Sequence, residues 1–234
     1  LKYLKKKYLK MKQIVLDTET TGLSVKDGHR VIEIGCIEMD NLVPTKNVFH
    51  CYLNPERKVS EKALEVHGYS DEFLSGQKKF KDIVDEFLNF IKNKKIIIHN
   101  APFDLAFLNY ELRLIKQKEI DKKNVIDTLE IARSKFPGAQ NSLDALCKRF
   151  NIDNSKREKH SALVDCNLLK EVYVNLLDQK EPKLDLESSE IFNTKLKDSV
   201  ENNKKSRKII KISDNEIQLH KKYLKESLQK NYYK

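Results

Sequence analysis

Four acidic residues and one histidine lie in three short motifs of this chain. The motifs are Asp17-Thr18-Glu19-Thr20-Thr21-Gly22, His99-Asn100-Ala101-Pro102-Phe103-Asp104 and His160-Ser161-Ala162-Leu163-Val164-Asp165. Each motif follows or opens a predicted helix or strand, so the acidic side chains can converge. Carboxylates that converge repel one another and stay ionised only beside a counter-charge. Divalent metal ions would supply that charge, and a pair of them would suit phosphodiester cleavage.

The first two motifs place three carboxylates at the ends of predicted elements. Side chains alternate along a strand, so Asp17 and Glu19 project from the same face at the end of the first strand. Asp104 lies at the start of a helix that follows the apolar strand 96–98. Ligands in α/β folds gather at such points. The alternatives are a strand that runs into solvent and an acid that only caps a helix.

The third motif separates its histidine from its acid. His160 and Asp165 are five residues apart, which is an offset of about 140° on one helix. The two side chains would diverge there, so we expect His160 in the loop before the helix that holds Asp165. Histidine titrates near neutrality, which suits a general base for the attacking water. By default, a structural role is assigned to His29, His50, His67, His99 and His220.

Hydrophobic periodicity predicts an α/β domain with a mixed five-stranded sheet flanked by helices. Strands are predicted at 13–17, 31–39, 48–53, 96–98 and 125–127. Helices are predicted at 71–92, 103–116, 128–135, 142–150 and 162–178. A sheet that begins as an antiparallel meander and ends in β-α-β units is the pattern of the ribonuclease H-like fold.

The net charge of +10 belongs to the two ends of the chain. Residues 1–12 hold six lysines and no acid, whereas residues 13–182 hold 26 basic and 27 acidic side chains. Basic tails are often only solvated, so the charge by itself is weak support for nucleic-acid binding. We expect 1–12 to be a basic leader that is disordered or not native, with translation beginning at Met11.

Membrane and disulfide classes are disfavoured. No apolar run is long enough to span a bilayer, and no stretch resembles a secretory signal. Neither C-x-x-C pairing nor zinc-ligand spacing is present among Cys36, Cys51, Cys147 and Cys166. We therefore expect reduced, mostly buried thiols in a cytoplasmic protein with no membrane partner.

The composition changes after the segment that carries the motifs, which we assign to one domain at 13–180. Residues 181–208 are rich in Glu, Asp, Ser, Asn and Lys, which predicts a flexible linker. Within 209–234, the capping box Ser213-Asp214-Asn215-Glu216 opens a short amphipathic helix. A short helix has nothing of its own to pack against, so we expect it to bind a partner or the body of the domain. A frayed tail is the alternative.

The motifs resemble those of the DEDDh 3′→5′ exonucleases, and most of all those of the proofreading epsilon subunits of bacterial DNA polymerase III. The resemblance covers 13–178 densely and the C-terminal helix loosely. Further similar stretches are Gln13-Ile14-Val15-Leu16, Val66-His67-Gly68, Asn141-Ser142-Leu143-Asp144-Ala145-Leu146-Cys147 and Ile152-Asp153-Asn154-Ser155-Lys156-Arg157. The resemblance implies a proofreading exonuclease that removes nucleoside 5′-monophosphates from single-stranded or frayed DNA 3′ ends.

The resemblance also implies a role for each matching residue. His160 would be the general base. Two Mg²⁺ or Mn²⁺ ions would be held by Asp17, Glu19, Asp104 and Asp165. The terminal nucleotide would contact Asp17, Glu19, Thr20, His67, Asn100, Phe103 and Asp165. A core position is the alternative for Phe103, since aromatic residues beside an apolar helix face are more often buried.

Two partners and two alternative functions complete the hypothesis. By resemblance, 209–234 would bind the alpha subunit of DNA polymerase III, and 181–186 would be a degenerate sliding-clamp-binding peptide. One alternative is an RNA-trimming exoribonuclease similar to ribonuclease T or oligoribonuclease, since discrimination between sugars depends on pocket shape. The other is a catalytically silent scaffold that only binds a polymerase or DNA.

Overall fold

The computed structural model describes residues 12–155, 157, 159–177 and 213–226. The chain forms two compact units, which divide between Lys183 and Leu184. The predicted leader (Lys12 apart), the linker at 181–208 and the clamp-binding segment at 181–186 lie outside the described residues. Within the part of the chain that is described, no helix is both long and apolar enough to cross a membrane.

A mixed five-stranded sheet forms the centre of the first unit, as predicted. Its strands are β1 Gln13–Thr20, β2 Val31–Asp40, β3 Val43–Tyr52, β4 Lys95–Ile98 and β5 Val125–Asp127. They lie in the order β3-β2-β1-β4-β5. β1 pairs antiparallel with β2 and parallel with β4, and β4 pairs parallel with β5. β1 is therefore the central strand, between the meander and the β-α-β units.

Helices flank this sheet. Those of the first unit are α1 Glu61–His67, α2 Asp71–Ser75, α3 Phe80–Ile91, α4 Ala101–Leu114, α5 Thr128–Lys135, α6 Leu143–Phe150 and α7 Ala162–Leu176. In the second unit, α8 Asp214–Glu226 begins with the predicted capping box. There the backbone N–H of Ser213 donates to Glu216 at 2.9 Å, and the N–H of Glu216 donates to the Ser213 hydroxyl at 3.4 Å.

Two predicted elements were wrong in extent. The single helix expected at 71–92 is two helices, because the chain leaves α2 after Ser75 and forms a bridge between Leu53 and Lys78 before α3. Asp82 then accepts the backbone N–H of Lys79 at 3.0 Å and caps α3. The third strand begins at Val43 rather than residue 48, and the short helix α1 was not predicted.

The core fills both faces of the sheet, and β1 contributes to each. Ile14 and Leu16 pack with α3 and α4 in one cluster, whereas Val15 packs with α7 in the other. Side-chain alternation therefore directs Asp17 and Glu19 to the α7 face and Thr18 to the α4 face. This division decides which helix can meet which carboxylate.

Candidate functional site

The end of β1 is joined to α4 by a short hydrogen bond. The Thr18 hydroxyl donates to Asp104 Oδ1 at 2.7 Å, and Asp104 is buried in the first turns of α4. The turn before α4 needs the left-handed backbone of Asn100, at φ 68°. Asp127, at the end of β5, holds this turn by accepting the backbone N–H groups of Asn100 at 3.1 Å and Ala101 at 3.2 Å.

Asp165 reaches the same end of β1 from the other face of the sheet. It lies in the first turn of α7, and His160 lies in the loop just before that helix, as expected. The loop is held by a hydrogen bond from the His160 N–H to the Val66 carbonyl at 3.1 Å. One ligand atom each of Glu19, His160 and Asp165 lie within 4.8 Å of one another. The structure thus brings together residues from the first and third motifs.

Arg157 is the cation of this cluster. It ends the similar stretch 152–157, but no site role was predicted for it. Its Nε lies 2.6 Å from Asp165 Oδ1, and its Nη2 donates to Asp165 Oδ2 at 2.6 Å. Nη2 also contacts His160 Nδ1 at 2.8 Å, and Nη1 lies 2.6 Å from Asp144. A guanidinium can only donate hydrogen bonds, so His160 Nδ1 is the acceptor. Arg157 therefore contacts both His160 and Asp165, and it links the histidine of the third motif to the acid of that motif.

The donor set fits a hard divalent cation. Asp165 Oδ1 is a buried oxygen with no hydrogen-bond partner among the described residues, because the 2.6 Å ion pair with Arg157 lacks hydrogen-bond alignment. Glu19 and Asp17 keep part of their surface open, so a ligand can enter from solvent. Carboxylate oxygens with a free face are the ligands that Mg²⁺ and Mn²⁺ prefer.

The carboxylates resist ionisation in the metal-free protein. Burial, and then the charges of Asp104, Asp165 and Glu19, hold the pKa of Asp17 well above its usual value. Burial, and then Asp165 and Glu33, raise the pKa of Glu19 to about 8. Burial raises the pKa of Asp104 to about 7, against the opposing hydrogen bond from Thr18. Such a cluster becomes fully charged near neutral pH only when a cation joins it.

We expect the metal-free protein to lose stability through Glu19 as pH rises from about 5 to about 8. Its pKa in the folded state is about 8, against 4.5 ordinarily, so the folded state retains a proton that the unfolded state releases. Three histidines with lowered pKa act in the opposite sense: His29, His67 and His99.

The Glu19 contribution is isolated by comparing wild type with Glu19→Gln in urea denaturation with EDTA. The free energy of unfolding of wild type, minus that of the variant, should fall from about pH 5 to about pH 8 in EDTA. In a second series with Mn²⁺ in place of EDTA, this fall should disappear. A relative stability that rises with pH would contradict the assignment.

A cavity of about 450 Å³ lies beside Glu19. Its lining includes Thr20, His67 and Phe103, three of the predicted nucleotide contacts. His67 is buried and its Nδ1 accepts the Tyr69 N–H at 3.0 Å, so the ring is fixed at the cavity wall. Phe103 is half-buried and also packs on Phe107 at 5.0 Å, so it serves both cavity and core.

Asn100 stands apart from the other predicted nucleotide contacts. It is exposed and lines a different cavity of about 680 Å³, together with His99 and Arg133. The cavities therefore do not support a contact between Asn100 and the nucleotide that Thr20 and His67 would bind.

Sequence reasoning missed two charged residues of the site. Glu33 lies near the start of β2 between the apolar residues Ile32 and Ile34, directly opposite Glu19 in the strand pairing. An acid among apolar neighbours in a predicted strand was an available signal for it. Arg157 ends the stretch 152–157 that carries part of the family resemblance, and this was the available signal for it, since no periodicity or spacing distinguishes it from other surface cations.

All four cysteines are free, as expected: Cys36, Cys147 and Cys166 are buried, and Cys51 is half-buried.

Relatives with high sequence identity extend over nearly the whole chain. An epsilon subunit of DNA polymerase III from Rickettsia felis is 48% identical over 219 residues, which cover 92% of this chain and 96% of the relative. The protein of the same name from Rickettsia typhi is 50% identical over 220 residues, with the same coverage. The Escherichia coli protein of that name is 49% identical over 171 residues, which cover 70% of each chain.

Solved structures share the fold at low sequence identity. The nuclease domain of 3′hExo, a DEDDh family member bound to rAMP, superposes with a TM-score of 0.63 at 17% identity, covering 72% of this chain and 92% of that one. Exonuclease X with duplex DNA gives 0.57 at 21% identity, with the same coverage. The fold is therefore the ribonuclease H-like fold of DEDDh exonucleases, as predicted. The family model described as Exonuclease (RNase_T) matches residues 14–173, and the chain belongs to that exonuclease family.

Proposed function

We propose that this chain is a 3′→5′ exonuclease that removes mispaired nucleotides from DNA 3′ ends as the proofreading subunit of a replicative polymerase. The observation that carries the proposal is the convergence of Glu19, His160 and Asp165 within 4.8 Å at the end of β1. Relatives at 47–51% identity named DNA polymerase III subunit epsilon support DNA as the substrate.

Each residue of the cluster has a part in this reaction. Two divalent cations, Mg²⁺ or Mn²⁺, would be held by Asp17, Glu19, Asp104 and Asp165. When bound, such a pair lowers the pKa of the attacking water and stabilises charge on the departing 3′ oxygen. His160 is 45% exposed, and as general base it would accept the proton of the attacking water. The product is a nucleoside 5′-monophosphate.

The terminal nucleotide fits the cavity beside Glu19. The cavity wall offers the Thr20 and His67 polar groups and the Phe103 ring. An aromatic face beside polar groups suits an unstacked base, which agrees with a frayed rather than a paired 3′ end.

The C-terminal unit supplies a surface for the polymerase. Ile217, Leu219 and Tyr223 of α8 are exposed, and apolar side chains on an exposed helix favour docking to another protein. We infer that 209–234 binds the alpha subunit of DNA polymerase III and that 181–186 binds the sliding clamp. With four free cysteines and bacterial replication relatives, we assign the activity to the cytoplasm.

The test is degradation of a mismatched DNA primer–template by the full chain. We expect the mispaired 3′ nucleotide to be released as a 5′-monophosphate in Mg²⁺ or Mn²⁺ and retained in EDTA. A primer with the same sequence and a ribonucleotide 3′ end is the matched substrate. Preference for the RNA end would favour the exoribonuclease, and no cleavage of either would favour a silent scaffold.

A further inference from the structure

Glu33 is a fully buried carboxylate that the cleavage chemistry does not use. It is the third residue of β2 and is 0% exposed. Its Oε1 lies 2.8 Å from His50 Nε2 and accepts the Ser161 hydroxyl at 3.0 Å. Its Oε2 accepts the Tyr69 hydroxyl and the backbone N–H of Ala162, both at 3.0 Å. A buried carboxylate is unfavourable unless it is hydrogen-bonded, and four partners surround this one.

Two of these partners form the start of α7. Ser161 is the N-cap residue of α7, yet its side chain does not cap its own helix. The N–H of Ala162 belongs to the first turn, whose donors have no partner within the helix. Glu33 accepts it from a position 129 residues away in sequence. A negative charge is also favourable at a helix N-terminus, so β2 supplies the cap that α7 lacks.

The backbones of β2 and α7 touch beside this cap. A Cβ atom added at Gly35 would lie 2.7 Å from the Ala162 carbonyl carbon and the Leu163 nitrogen. The Cys166 thiol also contacts the Gly35 carbonyl oxygen at 3.2 Å. At Gly35, this direct backbone contact leaves no side chain between strand and helix that could absorb a shift. Apolar packing of Leu169 and Tyr173 on the sheet holds the later turns of α7, and the hydrogen bonds at its first residue hold the first turn.

We propose that Glu33 is the positioning residue that fixes His160 and Asp165 over the end of β1. His160 directly precedes the capped residues, and Asp165 follows them by one turn. Tyr69, through its hydroxyl and its stacking on His67 at 5.1 Å, joins the same carboxylate to the wall of the nucleotide cavity. This inference deepens the proposed nuclease function and rests on it.

The arrangement of donors predicts how an amide would behave in place of the carboxylate. In Glu33→Gln, the amide oxygen can take the Oε2 position and still accept from Tyr69 and Ala162. The amide NH₂ then faces His50 and Ser161, and a neutral imidazole and a hydroxyl can both accept. Glu33→Gln therefore keeps all four hydrogen bonds without the charge. Glu33→Ala loses all four.

The experiment measures single-turnover cleavage of a mismatched DNA primer and, separately, hydrogen–deuterium exchange of amides 160–166 in metal-free protein. A displacement of about 1 Å at reacting groups costs about 100-fold in rate. We expect Glu33→Ala to cleave about 100-fold more slowly than wild type, with faster exchange at the start of α7. We expect Glu33→Gln to stay within about 5-fold of wild type and to keep the amides protected, since its geometry is retained.

Glu38→Ala is the matched control. Glu38 is also a β2 acid, 1% exposed, with hydrogen-bonding partners that include Lys94 at 2.7 Å and Asn47 at 2.9 Å. None of its partners belongs to α7 or to the His160 loop. Both alanine variants remove a buried, hydrogen-bonded acid, so they are compared at a temperature where circular dichroism shows both folded. Glu38→Ala should cleave at the wild-type rate.

Three results would overturn the positioning role. One is Glu33→Ala cleaving as fast as Glu38→Ala, and another is unchanged exchange at 160–166. The third is Glu33→Gln losing as much activity as Glu33→Ala, since charge rather than geometry would then matter. If Glu33→Ala does not fold, Glu33→Asp replaces it, because the shorter side chain cannot reach both α7 and Tyr69. An inactive wild type would instead reject the nuclease function. Hydrogen–deuterium exchange of amides 160–166 would then still test whether Glu33 positions the start of α7.

Discussion

Asp165→Asn should slow removal of a mispaired 3′ nucleotide by on the order of 1,000-fold. Loss of one electrostatic contact at a transition state already costs about 100- to 1,000-fold. Asp165 would contribute to cation binding, and it also lies 3.5 Å from His160 Nδ1. The rate is measured by single-turnover cleavage of a mismatched primer in Mg²⁺, and cation binding by calorimetry with Mn²⁺.

Asp144→Asn is the control for this variant. Asp144 is the other carboxylate that pairs with Arg157, at 2.6 Å, but it is 56% exposed. If Asp165→Asn acted only by releasing Arg157, Asp144→Asn would share part of the loss. We expect Asp144→Asn to retain nearly all activity. Full activity in Asp165→Asn would reject the metal-site assignment.

Arg157→Gln should destabilise the metal-free protein by about 3 kcal/mol and the metal-loaded protein much less. Removing one partner of a buried ion pair costs about 3–5 kcal/mol, since the other charge is left uncompensated. The pair is buried on both sides, with side-chain exposures of 7% for Arg157 and 5% for Asp165. A divalent cation can replace the lost positive charge, and by binding the folded state it stabilises it.

The measurement is urea denaturation in EDTA and in saturating Mn²⁺. Arg30→Gln is the matched control, since Arg30 forms a 2.6 Å ion pair with the buried Glu111 away from the carboxylate cluster. Arg30→Gln should lower the free energy of unfolding by the same amount in EDTA and in Mn²⁺. An Arg157→Gln loss that Mn²⁺ leaves unchanged would show that the guanidinium and the cation do not neutralise the same charge.

Local patterns were sufficient to predict much of the fold and the geometry within each motif. The alternation along β1 separates Asp17 and Glu19 from Thr18, and the helical offset excluded His160 from α7. The same reasoning failed where a distant contact decides the structure. The bridge between Leu53 and Lys78 divides the helix predicted at 71–92, and a local apolar period carries no trace of it.

Sequence reasoning missed Glu33 and Arg157 for the same reason. The partners of Glu33 at α7 are 128 and 129 residues away, and no spacing rule extends that far. Arg157 reaches Asp165 from a loop of polar residues, where a cation is ordinary. Sequence motifs therefore predicted the side chains that would contact the cations. They did not predict Glu33, which is proposed to position those side chains, or Arg157, which balances the charge of the carboxylates.

The two-sided burial of β1 restricts how this gene can change over evolution. A one-residue insertion or deletion between Gln13 and Asp17 would exchange the two faces of everything beyond it. Thr18 would then point at α7, and both acids would point away from it. Replacements that keep the strand's length leave this division of faces intact, and a change of length in the connection at 115–121 after α4 does not alter it either. Length variation among descendants of this chain should therefore accumulate in such loops and be purged from β1.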